Sequence, residues 1–225
     1  MSTVHSPPPA TPRFTLQRRA MFPALLGTLL GAAGLPLQAA PAAASRQTPR
    51  RASPQDASQD SKMLTIDWRG TAFQHRWSRD GQHEFTPDSS ANLASWRDML
   101  TLNLHEAVKD GEQLATVANQ VLGNYRQHGK ILQTRSTPRS AERPAEHLIV
   151  AVLGTPKLLE AVFARCLLRD GVGLIAVLSH RVYGQAAGPQ MSDWLRLNGP
   201  QTELALMAWD GMPAVAGLKR LPRST

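Results

Sequence analysis

The densest polar cluster in the chain is Ser179-His180-Arg181-Val182-Tyr183-Gly184. It follows an apolar run, which places it at a strand end. Neighbours along a strand face opposite ways, and alternate residues share a face. His180 is therefore set apart from Arg181, and Tyr183 lies on the side of Arg181. An arginine fork and a phenol on one side can hold an acidic group of a partner or ligand. The same groups also serve inside a fold, with Arg181 paired to a carboxylate such as Glu146 or Glu160. His180, Arg181, Tyr183 and Trp194, the last on a later helical stretch, are the candidate binding residues.

Other constellations carry less chemistry. Glu146-His147 and His105-Glu106 each join an acid to a base, but adjacent strand residues face apart. A small hydrolase would use His180 or His147 with a nearby acid. No Gly-x-Ser-x-Gly elbow accompanies either histidine, so no catalytic residue is assigned. The histidines are scattered without metal-ligand spacing. Gly171-Val172-Gly173 lacks the third glycine and the lysine of a phosphate loop. No metal site and no cofactor are implied. Cys166, the single cysteine of the chain, stands among Phe163, Leu167 and Leu168 and reads as a small buried hydrophobe.

The five tryptophans fall on separate elements. Trp68 and Trp77 belong to a first strand pair, and Trp96, Trp194 and Trp209 to helical stretches. Most suit a core or half-core position, and two exposed together would mark a partner surface. Charge argues against nucleic acid. Residues 1–61 hold six arginines against Asp56 and Asp60, half of the net charge of +8. The remainder is dispersed, apart from Lys219, Arg220 and Arg223. No basic stripe is interleaved with aromatics for base stacking.

The elements that must position these residues begin after residue 61. Leu64-Thr65-Ile66-Asp67-Trp68 alternates as a half-buried strand does, and Phe73 to Trp77 pairs with it beyond Gly70. Pro87 ends this segment. Asp88, Ser89 and Ser90 are N-cap candidates for a short helix carrying Leu93 and Trp96. Leu100, Leu102 and Leu104 mark a third strand. The clearest helix spans 111–127, with Leu114, Val117, Ala118, Val121, Leu122 and Tyr125 on one stripe. Asp110 caps its start, and Gly129 suits a left-handed stop. Lys130 to Ser136 is a modest strand, and Pro138 to Ala145 a polar loop.

His147 to Leu153 is almost wholly apolar, as a central strand covered on both faces would be. Residues 156–169 fit a helix by period. Arg169-Asp170-Gly171 before Leu174 to Leu178 instead signals strand, hairpin, strand, which is the preferred reading. Short helices at 193–197, capped by Ser192, and at 200–208, started by Pro200, complete a domain over 62–210. Residues 211–225 read as a basic tail of little pattern. The order predicts an α+β fold: a mostly antiparallel sheet with helices packed against it.

Ahead of this domain, Arg18-Arg19 precedes an apolar stretch ending at Leu37 and a small-residue zone, Ala39 to Ser45. A charged region, a short apolar core and an alanine-rich cleavage zone make a secretory signal peptide over 1–44. The arginine pair resembles a twin-arginine signal, with Gln17 and Met21 departing from the usual pattern. Twin-arginine and general secretory export both fit. An uncleaved anchor ranks behind them, because the stretch is near the lower limit of about 17–25 residues for a span. Residues 45–61 hold no apolar residue larger than alanine and read as a disordered linker.

Phe85-Thr86-Pro87, Trp96-x-x-Met99-Leu100-Thr101 and Ser179 to Gly184 together resemble uncharacterised exported proteins of Gram-negative bacteria. The element order is similar to the Mog1/PsbP-like fold. The resemblance covers about 64–210 and implies a fold and an exported accessory role, without catalytic residues. The expectation is a periplasmic or secreted accessory protein that acts by protein or ligand binding. An immunity or inhibitor protein is one variant of it, and a small periplasmic hydrolase is the alternative. The expected partner is an unidentified periplasmic or envelope protein. Nucleic acid is not expected, and a membrane would be met only through an uncleaved leader.

Overall fold

A computed structural model of the chain describes residues 64–141 and 143–224. The expected signal peptide and the whole of the expected linker lie outside the described residues. Eight strands form one antiparallel sheet in the order β1-β2-β3-β4-β8-β7-β6-β5. Two meanders compose it. The first is β1 (Thr65–Trp68), β2 (Thr71–Arg79), β3 (Gln82–Thr86) and β4 (Asp98–His105). The second is β5 (Gly129–Thr137), β6 (Glu146–Thr155), β7 (Leu158–Arg169) and β8 (Val172–Tyr183). Helix α1 (Gly111–His128) carries the chain from β4 to the far edge, and the second meander returns until β8 pairs with β4. Helices α2 (Ala187–Met207) and α3 (Val215–Lys219) follow. The α+β class with an antiparallel sheet is as the sequence order requires.

Three hairpins close on two residues of positive φ, Arg69-Gly70, Asp80-Gly81 and Asp170-Gly171. Such turns match the twist of the flanking strands. Asp170-Gly171 settles residues 158–169 as strand. Asp80-Gly81 divides the early segment into β2 and β3.

Strand period sorts the side chains into two layers. Phe85, Leu100, Leu102, Leu148, Val150, Phe163, Leu174, Ala176 and Leu178 share one face with Ala187, Met191 and Leu206 of α2. The other face carries Ile149, Ala151, Val162, Ala164, Ile175 and Val177, all buried. There α1 lies over β5, β6 and β7, with Leu114, Val117, Val121 and Tyr125 buried. Asp110 accepts a hydrogen bond from Gln113 N at 2.8 Å and caps α1 as expected. Among the described residues no helix is long and apolar enough to cross a membrane.

Four local expectations are corrected. The short helix over Leu93 and Trp96 is a single 3₁₀ turn, Asp88–Ser90. The Asp88 carboxylate is engaged by Arg76 and Gln74 instead of capping, and Ser90 Oγ accepts from Arg97 N and Asp98 N, leading the chain straight into β4. The two short helices at 193–197 and 200–208 are one helix, with Ser192 and Pro200 inside it. A proline there forgoes one backbone bond, but Ala187, Met191, Gly199, Thr202 and Leu206 form one buried stripe across it. Residues 211–225 are more than a tail, since Met212, Val215 and Leu218 are buried in the same core.

Gly129 is the fourth. Its φ of 178° is extended, not left-handed. The glycine is required because a Cβ would overlap the Val152 carbonyl oxygen of β6. Gly129→Ala is expected to destabilise the protein by about 2 kcal/mol or more. Gly123→Ala, in open space inside α1, should be neutral or stabilise by up to about 1 kcal/mol. Urea unfolding midpoints read both, and an unshifted midpoint for Gly129→Ala would refute the close approach.

Candidate functional site

The four candidate residues do not form one site. The sheet divides them, as the strand period requires. His180 and Trp194 lie on the α2 face. Their rings stack in parallel, with centroids 4.1 Å apart and planes at 3°. Trp194 also meets Phe163 edge-on at 6.2 Å. Antiparallel pairing of β4 with β8 sets Asp98 opposite His180, and His180 Nδ1 lies 2.8 Å from Asp98 Oδ1. That bond puts the proton on Nδ1 and leaves Nε2 as the basic nitrogen. An oriented imidazole is half of a hydrolytic dyad. Among the described residues no hydroxyl or thiol is hydrogen-bonded to His180, and Ser179 points to the opposite face.

Arg181 and Tyr183 lie on the other face. Arg181 Nε donates to Glu160 Oε2 at 3.0 Å, and its guanidinium sits 3.9 Å over the Trp96 ring. Tyr183 donates its hydroxyl to the Trp96 carbonyl at 2.7 Å. Both groups hold the 91–97 loop against the sheet. Of the two carboxylates named as internal partners, Glu160 is the one that Arg181 takes. Glu160 is buried, so the pair is stable only because its charges are mutually satisfied and hydrogen-bonded.

Glu146 goes elsewhere. It accepts two bonds from Arg165, at 2.8 and 3.0 Å. The side chain of Arg165 is 5% exposed. It also donates to the carbonyls of Leu206 and Trp209, at 2.9 and 3.0 Å. His147 meets Ser136 Oγ at 2.8 Å through Nδ1, and its Nε2 is buried without a hydrogen-bond partner. Burial holds its pKa below the usual imidazole value, with Glu146 opposing. Cys166 is fully buried, which pushes its thiol up to about 12 and leaves it inert. None of the five tryptophans is exposed.

A cluster that the sequence reading did not single out lies under the C-terminal segment. Ser78 Oγ stands between His75 Nε2 at 2.6 Å and His83 Nδ1 at 2.7 Å. All three residues are buried, His83 to 6% exposure. His75 is also hydrogen-bonded to the Trp77 backbone. With the His75 proton placed on Nδ1 by that bond, Ser78 donates to Nε2 and accepts from His83. His83 Nε2 is then a buried lone pair, and it has no hydrogen-bond partner. Burial and the neighbouring His75 push the His83 pKa down to about 4, and burial lowers His75 as well. Ser224 closes over Ser78: its N donates to the Ser78 carbonyl at 2.7 Å, and its Oγ accepts from Ser78 N at 3.1 Å. The signal was the spacing of His75, Ser78 and His83 about Asp80-Gly81, which folds them onto one face.

Comparison with known proteins adds little to this geometry. No family model matches the chain, and no curated protein matches it. Among solved structures, a protein of unknown function from Pseudomonas aeruginosa, described as a putative regulator, is similar at 13% identity and a TM-score of 0.38. The match covers 68% of this chain and 99% of that one. At that score the likeness carries no argument.

Neutral histidines, buried or half-buried, make folding depend on pH. His75, His83, His105 and His147 all have lowered pKa values in the fold. The unfolded chain binds their protons first, near pH 6.5. Stability is therefore greatest above about pH 6.5 and falls as pH drops from there towards the folded-state values. His83 alone is expected to contribute roughly 2–4 kcal/mol of that loss once the pH reaches its folded value of about 4. Urea midpoints at pH 7.5 and 5.0 should differ, and His83→Gln should flatten the dependence. A midpoint constant across that range would show the histidines to be accessible.

Proposed function

We propose that this chain is an exported accessory protein of the cell envelope that works by binding a protein partner. The observation that carries the reading is on α2. Leu197 and Leu204 are 61% and 63% exposed. They lie seven residues apart, so they share the outer face of the helix, with the exposed Pro200 between them. A helix that buries one stripe and shows large aliphatics on the other has a second surface to cover. The candidate groups Arg181 and Tyr183 meanwhile hold a loop in place, as Arg165 does a helix end.

Export rests on the leader sequence. Arg18-Arg19, the apolar stretch to Leu37 and the alanines before Ser45 support a periplasmic or secreted destination by the twin-arginine or the general route. Kinship with uncharacterised exported Gram-negative proteins of Mog1/PsbP-like fold belongs to the same proposal. The second reading, a small hydrolase, draws on the Asp98–His180 bond. It needs a nucleophile or an activated water beside His180 Nε2.

The test is affinity capture from periplasmic and membrane extract with the tagged protein, set beside Leu197→Asp/Leu204→Asp. One partner near one-to-one stoichiometry is expected, with at least tenfold less held by the double variant at unchanged circular dichroism. Equal capture by both would remove the α2 surface from the reading. Absence of any partner, with a turnover that His180→Ala or His147→Ala abolishes, would replace binding by hydrolysis.

A further inference from the structure

The two edges of the sheet are built differently. β1 is four residues long and places Ile66 and Trp68 in the core. β5 is nine residues long, its one neighbour among the described residues is β6, and every residue but Ile131 is exposed. A strand at an open edge turns half of its N–H and C=O groups outward, in register for another strand. One bulge interrupts the row, at Leu132 between Ile131 and Gln133. Leu132 is itself 44% exposed.

Charge decides what the row can accept. Gly129 to Ala145 contains Lys130, Arg135, Arg139 and Arg143 against Glu142 alone. All four basic residues are exposed. Arg135 meets Glu203 of α2 at 3.0 Å, and Glu146 is taken by Arg165. Lys130, Arg139 and Arg143 make no ion pair among the described residues. With Arg135 taken by Glu203, the basic charge left at this edge stands at Lys130 and, in the loop that follows, at Arg139 and Arg143. A second copy pairing through β5 would set these charges against themselves, which disfavours self-association. The 45–61 segment of this chain is also basic, with Arg46, Arg50 and Arg51 against Asp56 and Asp60. No aromatic residue stands between 129 and 145, so the edge has no platform on which nucleic-acid bases could stack.

We infer that β5 is a docking edge for an extended acidic segment of a partner protein, which adds to the sheet as a ninth strand. Main-chain bonds to 130–137 supply the attachment, as in other strand additions. Selection comes from acidic residues of the segment facing Lys130, Arg139 and Arg143, and from an apolar residue over Leu132. The surface is separate from the Leu197 and Leu204 stripe, and the test keeps the two apart.

The probe is a synthetic ten-residue peptide alternating valine with glutamate and aspartate, with a counterpart carrying lysine at the acidic positions. The full-length protein is followed by backbone hydrogen exchange. With the acidic peptide, amides within 130–137 are expected to slow at least tenfold, and the lysine peptide should give no change. Lys130→Glu/Arg139→Glu should weaken binding at least tenfold. Arg139→Glu/Arg143→Glu, confined to the loop, should weaken it without touching the strand. Leu197→Asp/Leu204→Asp should bind the peptide as the parent does. Protection elsewhere or nowhere, equal binding of the lysine peptide, tighter binding of a single-stranded oligonucleotide, or a dimer in sedimentation that pairs through β5 would each overturn the inference.

Discussion

The structure turns on one buried guanidinium. Arg165 projects from β7 on the α2 face, and its donors reach Glu146 of β6 and the carbonyls of Leu206 and Trp209. A buried charge costs several kcal/mol unless it is paired and hydrogen-bonded. Here a bidentate carboxylate, a carbonyl in the last turn of α2 and one just past its end satisfy it, and the negative end of the helix dipole adds to the attraction. The arrangement fixes where α2 ends. Only with that end held can the chain reverse and bring Met212, Val215 and Leu218 back onto the core. Arg169 then donates to the Met212 carbonyl at 2.8 Å, and Asp170 accepts from Val215 N at 2.8 Å. The tip of the β7–β8 hairpin therefore caps α3 from outside the helix.

The polar cluster at the end of β8 shows how one strand serves two layers. His180 reaches across to β4 and up to α2, while Arg181 and Tyr183 hold the 91–97 loop beneath. The two sets are a residue apart in sequence and a sheet apart in space. Each is a clasp at the seam between the meanders, where β4 and β8 meet. Arg181 N also donates to the Arg97 carbonyl at 2.7 Å, so the seam extends past the strand ends. The hydrogen bonds of this cluster thus tie together β4, β8 and the 91–97 loop.

Much of this was legible from local patterns. The α1 stripe, the Asp110 cap, the alternation in β1 and β4 and the Asp170-Gly171 hairpin rest on residues close in sequence. So does the opposed facing of His180 and Arg181. What escaped depends on distant pairings. Asp98 meets His180 across 82 positions, and Arg165 meets Leu206 across 41, so no spacing rule exposes either. Pro200 signals a helix start, and the continuous stripe of α2 overrides it because buried contacts outweigh one lost backbone bond. The tail was misjudged for a related reason. Met212, Val215 and Leu218 repeat every three residues, but among Gly211, Pro213 and Gly217 the period is too short to stand out.

The outer surfaces of α2 and β5 meet at Glu203. Its carboxylate takes Arg135 at 3.0 Å and Gln133 at 3.0 Å, both from β5, and Leu204 is the next residue along the helix. The ion pair locks the basic edge to the helix that bears the exposed leucines. It also draws Arg135 towards α2 and leaves the outward backbone of β5 open. A partner of the proposed kind that engages the helix stripe would meet the strand edge next. The second contact is then intramolecular and gains from its high effective concentration.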